Sequence, residues 1–192
     1  MDWVVIATGP SLTQEDVDAV QGLSVIAVSD AYRLAPWADC LHSSDARWWL
    51  ANPKALQFRG HKTSLELVKG VTRFHPSTEI LEDRPGYLAT GRNSGYQAIN
   101  LAVHYGAQRI LLLGFDMKKT NGRTHFFGSH PPSLERAHPY AVWWQHFAKL
   151  AKVLELRGVE VINCTPGSAL TCFRKARLSD ALQEVRRTAE AA

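Results

Sequence analysis

An α/β fold on a doubly wound, mostly parallel sheet is what this sequence predicts, and three observations predict it. Short apolar runs at Trp3–Ala7, Ser24–Val28, Ile110–Leu113 and Val159–Asn163 have the pattern of strands covered on both faces. Stretches with helical spacing lie between them, the alternation of βαβ units. Small or acidic residues follow the runs, at Thr8–Leu12, Ser29–Asp30, Ser43–Asp45, Gly114–Asp116 and Cys164–Ala169. Ligands of open α/β sheets bind outside the carboxyl ends of the strands, so these exits are expected to meet along one rim. The class is Rossmann-like: one domain over residues 1–186, with a polar, frayed tail at 187–192.

Each element has its own signal. Thr13 reads as the N-cap of a helix over TQEDVDAV, with Glu15 and Asp16 in the acid-favoured first turn. Thr8-Gly9-Pro10-Ser11 between that helix and the first strand is either a phosphate-facing corner or an ordinary tight turn. Its glycine spacing matches neither a dinucleotide fingerprint nor a P-loop. Asp30, after the second strand, suits either a ribose hydroxyl or the N-cap of AYRLA. CLHSSD is a third strand ending in Ser43, Ser44 and Asp45, and RWWL is helical, with its tryptophan pair in the core. One or two short strands are expected between Asn52 and Pro85, with His61 and His75 on the surface.

The organising stretch is Thr90–Met117. Thr90, Gly91, Asn93, Ser94 and Gly95 are small, donor-rich residues where a helix begins. Its first amides lack partners and the peptide dipoles add positive potential, so such a start suits an anion. Ala98, Ile99, Ala102 and Val103 form the apolar face of the helix, which ends near Gly106. A buried strand follows and delivers Asp116 to the rim. Lys118, Lys119, Arg123, His125 and His130 lie in the next loop, where Asn121-Gly122 signals a tight hairpin. A cationic loop with histidines beside an amide-lined helix start suits a diphosphate and a base. Pro139–Arg157 is a long amphipathic helix with Trp143, Trp144 and His146 read as structural, and a last helix starts near Ser179 as its cap. The rim then gathers Thr8, Gly9, Ser11, Asp30, Asp45, Asn93, Ser94, Asp116 and Thr165.

Bulk properties narrow the class. In 192 residues, 45% are apolar, enough for one domain with a sizeable core. A net charge of +4 permits an anionic ligand without demanding nucleic acid. Cys40, Cys164 and Cys172 form no framework, which points to a reducing compartment and a cytoplasmic location. Cys164 reads as packing rather than as a nucleophile. No run reaches the roughly 20 apolar residues of a membrane helix, and no secretory signal is evident. No DxD pair stands at a strand exit, so no metal or other cofactor is required by the residues.

ATGPSL near the N-terminus, NSGYQAINLAVHYGAQRILLLGFDM, HFFGSH and VINCTPGSAL together resemble the bacterial family-42 sialyltransferases. They also resemble a related group of uncharacterised domains that includes the archaeal 6-hydroxymethylpterin diphosphokinases. The resemblance covers most of the chain in order and thins between Asn52 and Pro85. Compact proteins of this kind occur in phages and prophages, which would make the location a host cytoplasm. The resemblance implies a single-domain, GT-A-like glycosyltransferase variant. It implies that Gly9, Pro10, Ser11, Asn93, Ser94 and Gly95 hold a cytidine monophosphate sugar, and that Asp30 stands where the family has a nucleotide-holding amide residue. His130, with His125 close behind, matches the family's general base. Where the family has tyrosines assisting the leaving phosphate, this chain has Lys118, Lys119 and His125, and it lacks the longer insertion that forms the acceptor lid.

Three functions are therefore expected to compete. The first is an inverting transferase that takes a nucleotide-activated sugar as donor, with His130 as base. The second is an ATP- and magnesium-dependent diphosphokinase-like transferase, with Asp45 and Asp116 on the ion. The third is a non-catalytic nucleotide-binding module. The acceptor class (glycan, small molecule or nucleic acid) and the oligomeric state stay open.

Overall fold

Strand β1 (Asp2–Ile6) alternates between two cores: Trp3 and Val5 enter one, Val4 and Ile6 the other. The period of two in a strand makes both faces apolar, as a sheet covered on both sides requires. The computed structural model describes residues 1–135 and 137–190. After β1 come α1 (Gln14–Asp18), β2 (Ser24–Val28), β3 (Cys40–His42), α2 (Ala46–Ala51) and β4 (His61–Ser64). Then follow β5 (Thr72–Arg73), β6 (His75–Ser77), β7 (Tyr87–Ala89), α3 (Ser94–His104) and β8 (Arg109–Leu113). The chain closes with α4 (Tyr140–Leu156), β9 (Glu160–Asn163), β10 (Arg174–Lys175) and α5 (Leu178–Glu190). Single 3-10 turns cover Ser29–Arg33 and Pro53–Gln57.

The main sheet has the order β10-β9-β8-β1-β2-β3-β4-β5, and every pairing in it is parallel. The fold is the doubly wound α/β class expected. From β1 the chain winds outward through β2, β3, β4 and β5. It returns through the small parallel pair β6–β7 and α3, enters β8 on the other side of β1, and winds outward again. The winding direction therefore reverses between β1 and β8, and a crevice opens outside their carboxyl ends. Helices α3 and α4 cover one face, with Ile99, Leu101, Phe147 and Leu150 packed on Val5, Ile26 and Leu112. Val17, Trp49 and Ala181, from α1, α2 and α5, cover the other with Ile6, Leu41 and Leu111.

Local chemistry sets the ends. Thr13 and Asp16 form a capping box, each side chain satisfying the other's backbone N–H, as its first-turn acid suggested. Helix α1 is shorter than expected and stops at Asp18. Ser179 lies inside α5 rather than at its cap, and α5 continues four residues past Arg186, so residues 187–190 are helical rather than frayed. Residues 191 and 192 lie outside the described residues. Three short strands fall between Asn52 and Pro85 instead of one or two, and β7 and β10 were not expected. Their two or three residues are too few to show a period.

Candidate functional site

At the reversal point β1 and β8 continue side by side beyond their strand ends. Ala7 N–H donates to Leu113 O at 2.8 Å, and Gly9 N–H to Gly114 O at 2.8 Å. Only glycine fits this approach. A Cβ on residue 9 would lie 1.9 Å from Asp116 Oδ2 and 2.4 Å from the carbonyl oxygen of Gly114. The turn then brings Ser11 onto Asp116. Its N–H donates to Oδ1 at 3.1 Å and its hydroxyl to Oδ2 at 2.9 Å, across 105 residues of sequence. Burial pushes the Asp116 carboxyl up, and the bonds from Ser11 and the nearby Lys118 charge pull it back.

Asn93 caps α3 by accepting the Tyr96 N–H at 3.1 Å. Ser94 lies beside it, its hydroxyl 3.0 Å from that of Ser44 at the exit of β3. Gly95 sits against the Phe115 ring, where a Cβ would lie 2.8 Å from a ring carbon. A cleft of about 850 Å³ runs over these pieces. Thr8, Gly9, Asp45, Asn93, Ser94, Gly95, Asp116, Lys118, His125 and His130 all line it. Ten of the fourteen residues expected at the site thus share one lining.

The other four do not line it. Ser11 reaches the cleft only through Asp116, and Pro10 belongs to the same turn. Thr165 is buried, its hydroxyl accepting the Phe115 N–H at 2.9 Å, which fixes the exit of β8. Asp30 is 1% exposed; it accepts the Trp48 indole N–H at 2.7 Å and pairs with Arg33 at 2.7 Å. The N-cap reading of Asp30 is corrected: Val28 holds that position, and Asp30 is inside the 3-10 turn. Asp45 does cap a helix, α2, through the Arg47 N–H, and it pairs with the Arg47 guanidinium at 2.7 Å.

The loop after Asp116 is a folded flap. Asn121-Gly122 makes the expected hairpin turn, with Thr120 and Arg123 exchanging two hydrogen bonds of 3.0 Å. Thr8 pins the flap twice: its carbonyl accepts the Phe126 N–H at 3.0 Å, and its hydroxyl lies 2.9 Å from His125 Nδ1. His125 touches His130 and His138, with ring centroids 4.7 and 5.4 Å apart, and stacks on Phe127 at 4.9 Å. Burial, helped by the neighbouring histidines, pushes His125 down to about 4. His130 and His138 are also lowered, chiefly by burial. These imidazoles are neutral at pH 7 and able to accept a proton.

His138, Tyr140, Trp143, Arg92 and Arg73 line the cleft without having been expected there. Trp143, read as structural, donates from its indole to Arg92 O at 2.9 Å and forms a wall of the cleft. Aromatic residues at helical spacing carry no sequence signal for it; the packing of α4 turns His138, Tyr140 and Trp143, around its Pro139 start, toward the rim. Backbone strain gathers at the same rim. Among the described residues, Ser29, Arg92, Met117 and Asn121 are left-handed without being glycine, with φ of 47°, 56°, 51° and 50°. The first three line the cleft. Also among the described residues, no group of three or more His, Cys, Asp and Glu side chains gathers as a metal ion would need.

No protein-family model matches the sequence. No curated protein matches it either. Its fold is similar to that of the MAf glycosyltransferase from Magnetospirillum magneticum AMB-1, with a TM-score of 0.61 over 97% of this chain and 12% identity. The chain spans 37% of that protein's length. At that identity the likeness is one of fold. Among the described residues, no helix is long and apolar enough to cross a membrane.

Proposed function

We propose that this chain is a glycosyltransferase-like transferase that takes a nucleotide-activated sugar, a cytidine monophosphate sugar or one like it, in the cleft at the β1–β8 reversal point. The carrying observation is the meeting there of the Gly9 turn, the α3 start, Asp116 and a cluster of neutral histidines. The donor phosphate sits at the Asn93–Gly95 helix start, near Lys118, where amide dipoles and a cation offset its charge. An acceptor hydroxyl oxygen attacks the anomeric carbon as the bond to the phosphate oxygen breaks on the opposite side, inverting that carbon. The hydroxyl proton passes to His130, and the nucleotide leaves as its phosphate anion. The glycosyltransferase neighbour supports the reading at the level of fold.

Thermal unfolding against CMP, UDP, GDP, ADP and ATP, each with and without magnesium, tests it, followed by hydrolysis of the matching nucleotide sugars. A cytidine-nucleotide shift and slow donor hydrolysis are expected. A magnesium-dependent shift with ATP alone supports the diphosphokinase-like reading instead. In that case Asp45 and Asp116 would have to exchange their present partners, Arg47 and Ser11, for the ion. A nucleotide shift with no turnover, unchanged in His130→Ala, supports a binding module.

A further inference from the structure

Three histidines cluster at the cleft, and a base must be chosen among them. His125 faces Thr8, Phe127 and the two other imidazoles. His138 faces His125, Tyr140 and Trp143, with Lys119 and Glu135 the charges acting on it. His130 alone faces a buried carboxylate: its Nδ1 lies 4.0 Å from Asp30 Oδ2. That carboxylate is rigidly held. It sits at the exit of β2, Oδ1 on Arg33 and Oδ2 on Trp48, each at 2.7 Å. Phe127 packs edge-on against His130 at 5.0 Å, and the Arg33 guanidinium lies 5.7 Å over the Phe127 ring.

We infer that Asp30 is a positioning residue that selects His130 as the proton acceptor of the cleft and fixes the hydrogen on its Nδ1. A carboxylate opposite Nδ1 favours the tautomer with hydrogen there, which leaves Nε2 as the basic nitrogen. It also stabilises the imidazolium formed once the acceptor's proton arrives, and the 4.0 Å gap leaves room to tighten at that moment. The charged and titratable groups facing His130 are Asp30 and Arg33 from the turn after β2, His125 from its own loop, and His138 from the start of α4. Asp30 raises its proton affinity, while burial and Arg33 lower it. The chemistry rests on the transferase reading; the pairing itself does not.

The test is long-range ¹⁵N–¹H correlation spectroscopy of the histidine rings, run as a pH titration of the wild-type chain, Asp30→Asn, Asp30→Glu and Arg33→Gln. The wild type is expected to show His130 hydrogenated at Nδ1. Asp30→Asn lowers the His130 pKa and removes the tautomer preference, Asp30→Glu restores part of both, and Arg33→Gln raises the pKa. Loosening of the cluster would move Asp30→Asn and Arg33→Gln in the same direction, toward the solvent value, and that result overturns the inference. So does an unmoved His130 in either variant; where Asp30→Asn fails to fold, Arg33→Gln and Asp30→Glu decide. With a donor in hand, Asp30→Asn is expected to lower kcat for hydrolysis at least about tenfold with KM little changed. If wild type hydrolyses no nucleotide sugar, the proposed function falls while the spectra still judge the pairing.

Discussion

The two edges of the sheet carry cavities of comparable size and different chemistry. At the carboxyl edge lies the cleft of about 850 Å³; at the amino edge, beneath Trp3, Trp37, Cys40 and Tyr105, lies a cavity of about 1090 Å³. The amino-edge cavity is walled by Trp3, Trp37 and Tyr105, with Asp39, Arg59 and His61 also lining it. Trp3 stacks on Tyr105 at 5.0 Å, and burial pushes the Cys40 thiol up to about 11, which keeps it protonated. Turns at this edge reach left-handed backbone with glycine, as at Gly106 and Gly158. The carboxyl edge uses glycine too, at Gly91 and Gly114, but adds Ser29, Arg92 and Met117, which line a ligand-sized space. Volume does not separate the two. Lowered histidines and left-handed backbone at non-glycine residues do, and both collect where the winding of the sheet reverses.

The sharpest way to break this comparison is to disable each edge in turn. His130→Ala at the carboxyl edge is expected to lower donor hydrolysis by about 10² to 10⁴. Trp37→Ala at the amino edge loses packing and stability while kcat holds. Hydrolysis rates on both purified variants decide it; equal losses would mean that the edges are not functionally distinct. Next in size is a pair of glycines. Gly9→Ala drives a methyl into Asp116 and the Gly114 carbonyl and is expected to cost about 3 kcal/mol. Gly106→Ala, with open space around it and φ of 81°, is expected to cost only about 1 kcal/mol of backbone strain. Urea unfolding of the two variants measures the difference, and equal costs would show that the Gly9 approach is not tight.

Much of the carboxyl edge was legible because each β-strand exit is local chemistry. Gly9 and Asp116 announce themselves as small or acidic residues after apolar runs, Asn93 and Ser94 as small donors where a helix begins, and the alternation of strands and helices says that they meet. The pairing of Ser11 with Asp116 over 105 residues follows from that logic, although its hydrogen bonds do not. His138, Tyr140 and Trp143 were not legible in the same way. Aromatic residues at helical spacing read as core, and whether α4 turns them inward or toward the rim depends on how the helix crosses the sheet. Asp30 was hidden for a related reason. A strand-end acid looks alike whether it meets a ligand or a tryptophan and an arginine, and only tertiary packing separates the two.

Acid sharpens the comparison further. His42, buried beneath the cleft between Thr63 and Gln97, is pushed by burial to about 4, as His125 is. Both sit below the ordinary 6.5, so between pH 6.5 and 4 the unfolded chain binds protons that the folded chain refuses. Stability therefore falls as pH drops through that window and is steepest near pH 5, by roughly 2 kcal/mol per pH unit from the two together. Denaturant midpoints taken at half-unit steps give the slope. His125→Gln and His42→Gln should each flatten it by about 1 kcal/mol per pH unit, and an unchanged slope in both would place the acid sensitivity elsewhere.

The smallest effect expected is the most informative about why the rim is strained. Arg92 has φ of 56° and lines the cleft, and its carbonyl accepts the Trp143 indole N–H. Arg92→Gly keeps that carbonyl and relieves the backbone by about 1 kcal/mol, offset in part by the extra freedom glycine gives the unfolded chain. The melting temperature should therefore hold or rise slightly while nucleotide affinity falls with the lost cation. A left-handed arginine makes no sense as a fold-building device when glycine serves the turns at Gly106 and Gly158. It makes sense where the side chain does something that glycine cannot. If Arg92→Gly lowers stability and leaves nucleotide binding intact, the strain at the rim belongs to the fold, and the distinction between the two edges loses its backbone argument.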